Sequence, residues 1–409
     1  MRWIIFVLIY LFIDWYAFQA LRTITKNQWI YYLHFLISVL VVGNFIVQFL
    51  WFNEANGGLS HAKSYAIGFL LTIMALKLAV IPFLLGEDIV RVGAGVYHKF
   101  FGSEKEFYMP ARRRFVSQMA LGVAAIPFLS LLYGMYKGKY DFRVLKYTLT
   151  YDDLPEAFDG YRITQISDIH SGSFDNREKI EYAVDLINEQ QSDIIVFTGD
   201  MVNNKSDEMK PWLETFSRLT ASDGKFSVLG NHDYGDYVSW STQTEKHNNL
   251  LTLMQMQKEM GFDLLLNEHR YLNRGGHRLA LVGVENWGVG GFKKAGDFNK
   301  AISGISADDF TILLSHDPSH WEHEIMSHQK HVHLTMSGHT HGMQFGIEIP
   351  GWIKWSPVKW RYKYWAGIYK EMGQYINVNR GFGFLAYPGR VGIWPEITVI
   401  ELKRAEKVA

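Results

Sequence analysis

Four stretches of this chain, about Trp3–Leu21, Trp29–Phe52, Ser64–Leu85 and Phe115–Tyr136, are hydrophobic almost without interruption. A helix needs about 20 residues to cross the ~30 Å hydrocarbon core of a bilayer, and each stretch can supply them. Helices of a soluble domain carry a polar face every few residues, whereas Ile4–Ile13 and Phe35–Val42 carry almost none. Residues 1–140 therefore read as a transmembrane domain of about four helices. The first stretch lacks a small-x-small cleavage site and a second follows closely, so it reads as a span rather than a removable leader.

Basic residues set the expected orientation, because they concentrate in cytoplasmic loops. Arg22 and Lys26 follow the first span. Arg91, Lys99, Lys105, Arg112, Arg113 and Arg114 follow the third, and only Lys63 follows the second. The expectation is an integral inner-membrane protein whose C-terminal domain is extracytoplasmic. Lys137, Lys139, Arg143 and Lys146 run against it. Two ionisable residues, Asp14 and Lys77, interrupt spans that run in the same direction. At 1.5 Å per residue both lie deep, roughly 16 and 20 Å along their helices, so they can meet. The reading is open between a functional intramembrane pair and a structural ion pair.

From about Asp141 the composition changes, giving a second domain over residues 141–409. Arg162–Ser167, Ile194–Thr198, Phe226–Leu229, Leu279–Gly283, Thr311–Ser315 and Leu334–Ser337 read as short buried strands. Gln374–Val378 and Glu396–Leu402 add two more. Helical patterns such as Arg177–Gln190 and Met209–Leu219 alternate with them, which is the signature of an α/β domain.

The chemistry follows the strands. Asp168-Ile169-His170, Gly199-Asp200, Gly230-Asn231-His232-Asp233, His316 and Gly338-His339-Thr340-His341 each come just after one. Ligands bind beyond the carboxyl ends of strands in open α/β sheets, so five strand ends can converge on one crevice. Asp168 and His170 are two apart, as are His339 and His341, and extended backbone would point each pair one way. Asp200 can bridge two ions, and Asn231, His316 and His339 add an amide oxygen and imidazoles. Two divalent ions ~3.5–4 Å apart would clamp a phosphate and activate a bridging water. The oxygen and nitrogen donors suit Mn, Fe or Zn alike. The chain has no cysteine, so thiolate sites and thiol nucleophiles are excluded. Its net charge is zero, so nothing points to a nucleic-acid partner.

These blocks resemble the calcineurin-like metallophosphoesterases, over about Leu145 to Leu402. The surroundings resemble the membrane-anchored bacterial branch: Leu154-Pro155-x-x-Phe158-Asp159-Gly160, Gln344, Arg380-Gly381-Phe382-Gly383 and Pro388-x-Arg390. The resemblance implies a four-layer α-β-β-α sandwich, two metals and phosphomonoesterase or phosphodiesterase activity. It implies that Asp168, His170, Asp200 and His341 hold the first metal and Asp200, Asn231, His316 and His339 the second. His232 would act on the phosphate as general acid or charge-stabilising donor. Two positions depart from the pattern. Asn203 stands where many relatives carry an Asp that orients the residue equivalent to His232, and Met343 where the anchored branch often has Gly.

His320, His323, His328, His331 and His333 crowd the segment before the last motif and read as surface or structural residues. His333 opens its strand and should lie roughly 20 Å from the site. Trp352–Trp365 interleaves aromatic and basic residues, which fits either a loop at the lipid headgroup layer or a flap on the domain itself. The leading expectation is a membrane-anchored phosphoesterase acting on a lipid-linked or envelope substrate, with the lipid bilayer as partner. The rival is a membrane sensor or scaffold whose metal domain only binds.

Overall fold

The computed structural model describes residues 2–51, 58–101, 110–349 and 351–406. Phe52, which closes the second hydrophobic stretch, and the basic residue Lys105 lie outside them. The chain divides into two compact units between Tyr136 and Lys137.

Among the described residues, the first unit holds four helices long and apolar enough to cross a membrane. They are α1 (Arg2–Ile24), α2 (Gln28–Leu50), α3 (His61–Phe101) and α4 (Pro110–Tyr136). The sequence reading put Arg91, Lys99 and Arg112–Arg114 in a loop and Lys63 in another. Instead α3 runs 41 residues. That is about 60 Å, roughly twice the hydrocarbon thickness. It carries Lys63, Arg91 and Lys99 as helical residues, and Arg112–Arg114 lie near the start of α4. The helix continues because acids on α3 pair with these cations. Arg113 reaches Glu87 at 2.7 Å and Asp88 at 2.6 Å, and Arg91 meets Asp88 at 2.7 Å.

Asp14 on α1 and Lys77 on α3 do meet, at 2.7 Å. Lys77 Nζ also donates to Ser38 Oγ at 2.6 Å and to Tyr10 Oη at 2.5 Å, and Ser38 donates to Asp14 at 2.8 Å. An ammonium has three donors, and all three are used. His34 Nε2 lies 3.0 Å from the same carboxylate.

The second unit is built on two six-stranded sheets. The first contains β1 (Arg143–Tyr151), β2 (Arg162–Ile166), β3 (Ile194–Phe197), β4 (Lys225–Ser227), β5 (Phe262–Leu264) and β14 (Glu396–Arg404), in the order β1-β14-β2-β3-β4-β5. The second contains β6 (Glu268–Arg274), β7 (His277–Gly283), β8 (Thr311–Leu314), β9 (Leu334–Ser337), β12 (Gly367–Glu371) and β13 (Gln374–Val378), in the order β12-β13-β9-β8-β7-β6. A separate hairpin pairs β10 (Ile347–Ile349) with β11 (Ile353–Trp355).

Alternation along each strand sorts side chains between layers. Ile194 and Val196 of β3 join Ile312 and Leu314 of β8 in the core between the sheets. Ile195 and Phe197 face outward onto α5 (Arg177–Asn188), α6 (Leu213–Ser217) and α7 (Gln243–Glu259). Leu313 faces the opposite way, onto α8 (Phe298–Ala301) and the turn around Trp321. The result is a four-layer α-β-β-α sandwich. Helix α5 shows why such a layer forms: Asn176 caps its start, and Ile180, Ala183, Val184 and Ile187 give one buried stripe. The helix expected over Met209–Leu219 is shorter. Pro211 falls in a 3₁₀ turn, and α-helix begins only at Leu213.

Candidate metal centre

Strands β2, β3 and β4 are parallel neighbours, as are β7, β8 and β9, so their carboxyl ends share an edge in each sheet. All five motifs follow those ends. The loops are stitched together by main-chain bonds: Asp168 N to Gly199 O at 2.9 Å, His170 N to Asp200 O at 3.1 Å, and Gly338 N to His316 O at 2.9 Å.

The side chains converge around Asp200. On one side, His170 Nε2 lies 3.7 Å from Asp200 Oδ2 and 3.0 Å from His341 Nε2, which is 3.1 Å from Asp168 Oδ1. On the other, His316 Nε2 lies 3.1 Å from Asp200 Oδ2 and 3.3 Å from His339 Nδ1, and His339 Nδ1 is 2.8 Å from Asn231 Oδ1. Three groups of ligand atoms each lie within 4.8 Å of one another: Asp168–His170–His341, His170–Asp200–His232 and Asp200–His316–His339. Asp200 belongs to two of the three. His170 Nδ1 is a buried nitrogen with no hydrogen-bond partner among the described residues. Lone pairs gathered at this density, without a matching set of protons, fit divalent cations.

The paired residues converge, but not by strand alternation as the spacing led us to expect. Asp168, His170, Asp200, His339 and His341 all take left-handed backbone, with φ of 52°, 47°, 61°, 71° and 49°. Such conformations cost on the order of 1 kcal/mol or more for residues with a side chain. The loops turn sharply at each donor, so the carboxylates and imidazoles are aimed inward by strain rather than by extended geometry. Two glycines make room. A Cβ on Gly230 would lie 2.2 Å from Asp200 Oδ1, and one on Gly338 would lie 2.2 Å from Asp168 Oδ2.

Electrostatics divide the imidazoles. Burial drives the pKa of His170 well down, reinforced by the charges of His232 and His341. Burial likewise lowers His339. Both are thus held in the neutral form that ligates metals. For His316 burial also pulls down, but Asp200 and then Asp168 outweigh it and push the pKa up to about 10. Burial opposes ionisation of Asp168 and Asp200. For Asp168 the charge of His341 more than reverses it, and for Asp200 those of His316 and His232 do, so both carboxyls stay well below the usual range.

Several residues have supporting roles that the sequence did not assign. Asp233 accepts from the main-chain N–H groups of Met201 and Gly230 at 2.8 Å and of Asp200 at 3.0 Å, which locks two motif loops together. Burial and the charge of Asp200 push its pKa up to about 7. Tyr237 accepts from Asn231 Nδ2 at 2.7 Å, leaving the amide oxygen turned to His339. His316 Nδ1 donates to Thr198 O at 2.7 Å, leaving Nε2 inward. Tyr362 Oη lies 2.8 Å and Asp317 Oδ2 3.4 Å from His339 Nε2. Arg390, fully buried, donates to the carbonyls of Arg380 and Gly383. Its loop in turn docks on the first motif through Phe382 N to Ser167 O and Gly383 N to Asp168 O. Asp233 and Arg390 lay inside motifs without an assigned role and Asp317 adjoins His316, whereas Tyr237 and Tyr362 are marked only by proximity in space.

The two departures have structural consequences. His232 Nδ1 donates to the main-chain carbonyl of Asn203 at 2.7 Å, so the backbone orients this ring and no carboxylate is needed at position 203. Met343 has φ 50°, the region glycine occupies at least cost, and its side chain is exposed. His333 sits at the opening end of β9, bonded to Asp153 at 2.8 Å and stacked on Phe310. His320 is buried against Trp287. The Trp352–Trp365 segment splits. Val358 and Trp365 pack with Ile393, while Trp352 and Trp360 are 77% and 76% exposed.

Comparison with known proteins agrees with this geometry. A family of probable calcineurin-like phosphoesterase transmembrane domains matches residues 1–139, and the calcineurin-like phosphoesterase family matches residues 161–343. The chain is 30% identical over 274 residues to YkuE, an uncharacterized metallophosphoesterase of Bacillus subtilis, covering 66% of this chain and 89% of that one. It is 27% identical to an uncharacterized metallophosphoesterase of Aquifex aeolicus, over 68% of this chain and 98% of that one. A Danio rerio transmembrane protein with metallophosphoesterase domain is 26% identical, over 67% of this chain but only 60% of its own length. The chain therefore belongs to the calcineurin-like phosphoesterases, and it is a membrane protein of that family whose N-terminal unit is a four-helix transmembrane domain.

Proposed function

We propose that this protein is a dinuclear-metal phosphoester hydrolase of the inner membrane, with its catalytic unit extracytoplasmic and its substrate lipid-linked or part of the envelope. The observation that carries the reading is Asp200, a fully buried carboxylate shared by two groups of ligand atoms. Asp168, His170, Asp200 and His341 would hold one ion, and Asp200, Asn231, His316 and His339 the other, as Mn, Fe or Zn. When bound, such ions supply Lewis acidity toward a phosphoryl oxygen and a nucleophile at neutral pH.

The chain's own residues do the rest. His232 has its Nδ1 proton committed to Asn203 O, and its main-chain N–H is committed to Asp200 Oδ1 at 2.8 Å. Its Nε2 is therefore the atom available to the substrate, as proton donor to a leaving oxygen or as donor to developing charge. The Tyr237 ring packs against the His232 ring, tilted 37° with centroids 4.4 Å apart, and limits its motion. The outward orientation rests on Arg22 and Lys26 after α1 and on Arg91, Lys99, Lys105 and Arg112–Arg114 from the far part of α3 to the start of α4, against Lys63 alone before α3. Of the opposing cations, Lys139 is paired to Asp175 and Arg143 to Asp141 within the second unit, so they belong to its fold.

The test is hydrolysis by the full chain, assayed in parallel on a soluble aryl phosphodiester and on phosphoesters embedded in vesicles. Asp200→Asn and Asn231→Ala abolish turnover on both. Folded variants that keep most activity refute the two-ion assignment. Metal-loaded wild-type protein with no turnover on any phosphoester favours a sensor. Faster turnover of the soluble ester counts against a lipid-linked substrate. A reporter fused after Ala409 is active outside the cytoplasm, and activity only inside reverses the orientation.

A further inference from the structure

A polar cleft of about 580 Å³ opens in the phosphoesterase unit. Four cations line it, Lys354, Lys359, Arg361 and Lys363, against one carboxylate, Glu322. Trp360 forms part of its wall. All four cations are exposed, and they come from one short stretch that begins in β11. A concentration of like charge in a neutral chain has an electrostatic cost, which an anionic ligand removes.

The cleft is connected to the chemistry through Arg361. Its guanidinium carbon lies 5.2 Å from the centroid of Phe292, whose ring stands edge-on 4.7 Å from His339. The ring of the next residue, Tyr362, is centred 5.7 Å from the same guanidinium carbon, with its hydroxyl against His339 Nε2. A substrate whose scissile phosphate occupies the site at His339 would thus carry its next few atoms toward Arg361, and from there toward Lys359 and Lys363.

We propose that this cleft is a subsite for a second anionic group on the substrate, a phosphate or diphosphate several bonds from the scissile ester. The inference rests on the phosphoesterase reading and narrows it, selecting multiply anionic phosphoesters over singly charged ones. Lysines and arginine around an open cleft suit phosphate oxygens. Lys354 is held by Ala366 O and the Tyr369 hydroxyl, and Lys363 by the Tyr364 hydroxyl and, at 3.6 Å, by the exposed carboxylate of Glu371, which fixes their ammonium groups at the wall. The second anion can come from a lipid headgroup or from a soluble molecule, because the chemistry recognised is the same.

The test uses the metal-loaded full chain in detergent and the Lys359→Ser/Lys363→Ser variant, whose exposed positions spare the core. The first measurement is the calorimetric affinity for inorganic pyrophosphate, which needs no turnover. Charge-assisted bonds to two lost ammonium groups lower it roughly 10-fold. Lys359→Arg with Lys363→Arg restores it. The second is the ratio of kcat/KM for an aryl phosphodiester bearing a second phosphate to that for one without, with the doubly charged ester offered free and in vesicles. The ratio falls by a similar factor in the serine variant and recovers in the arginine one. A fall on the free ester marks a soluble second anion, and a fall confined to vesicles marks a headgroup. Unchanged pyrophosphate affinity together with an unchanged ratio overturns the subsite and leaves the hydrolase intact. If the wild type hydrolyses neither ester, the hydrolase reading fails on its own, and the pyrophosphate titration still decides the subsite.

Discussion

Asp14, among the long helices, meets an ammonium at 2.7 Å, and that ammonium spends its other two donors on Ser38 and Tyr10. Asp200, in the phosphoesterase unit, is just as buried but is surrounded by imidazoles. In the first cluster every charge has an internal partner of opposite sign. In the second, His170 Nε2 and His341 Nε2 face each other at 3.0 Å, and His170 Nδ1 has no hydrogen-bond partner among the described residues. A buried ion pair is stable when its geometry and hydrogen bonds are complete, whereas a buried array of lone pairs needs cations from outside. The comparison therefore favours a structural role for Asp14–Lys77 and a ligand-binding role for the Asp200 cluster.

Variants at three places sharpen the contrast. Among them the largest loss of turnover is expected for His232→Ala, about 10²–10⁴-fold, because one donor at the reacting centre is removed. Elemental analysis of that variant should still find its metals, and metal loss would move His232 from catalysis to coordination. A smaller effect is expected for Asp317→Asn. This carboxylate stands behind His339, and removing such an outer partner typically weakens metal binding about 10–100-fold. Chelator competition measures it, and an unchanged affinity would make Asp317 a packing residue. The smallest effect on turnover of a soluble ester is expected in the membrane pair. Lys77→Met alone leaves Asp14 buried without its cation and should cost about 3–5 kcal/mol of stability. Lys77→Met with Asp14→Leu should recover most of it. If the double variant instead loses hydrolysis while staying folded, the pair is functional and the contrast fails.

Much of this was legible in sequence. The motifs could be placed at strand ends because each follows a short apolar run bounded by glycine or a polar residue, and the four spans were readable from length and hydropathy. The exit geometry was not. Positive φ at Asp168, His170 and His341 arises from the tertiary stitching of loops, so the extended pairing that the DxH and HxH spacings imply gives the right neighbours for the wrong reason. The division into two sheets was also invisible in the strands themselves. Ile194–Phe197 and Thr311–Leu314 are buried on both faces, and such runs look alike whichever layer they join. The long α3 was missed because Glu87 and Asp88 end the hydrophobic run while continuing the helix. The roles of Asp317 and Tyr362 depend on loops that meet only in the folded unit.

The central claim is that the Asp200 cluster holds two ions and that Asp200 is common to both. Metal stoichiometry of the purified full chain tests it directly. Two divalent ions per wild-type chain and at most one in a folded Asp200→Asn variant are expected. Two ions retained in that variant, or hydrolysis by a wild-type chain that holds one ion or none, would contradict it.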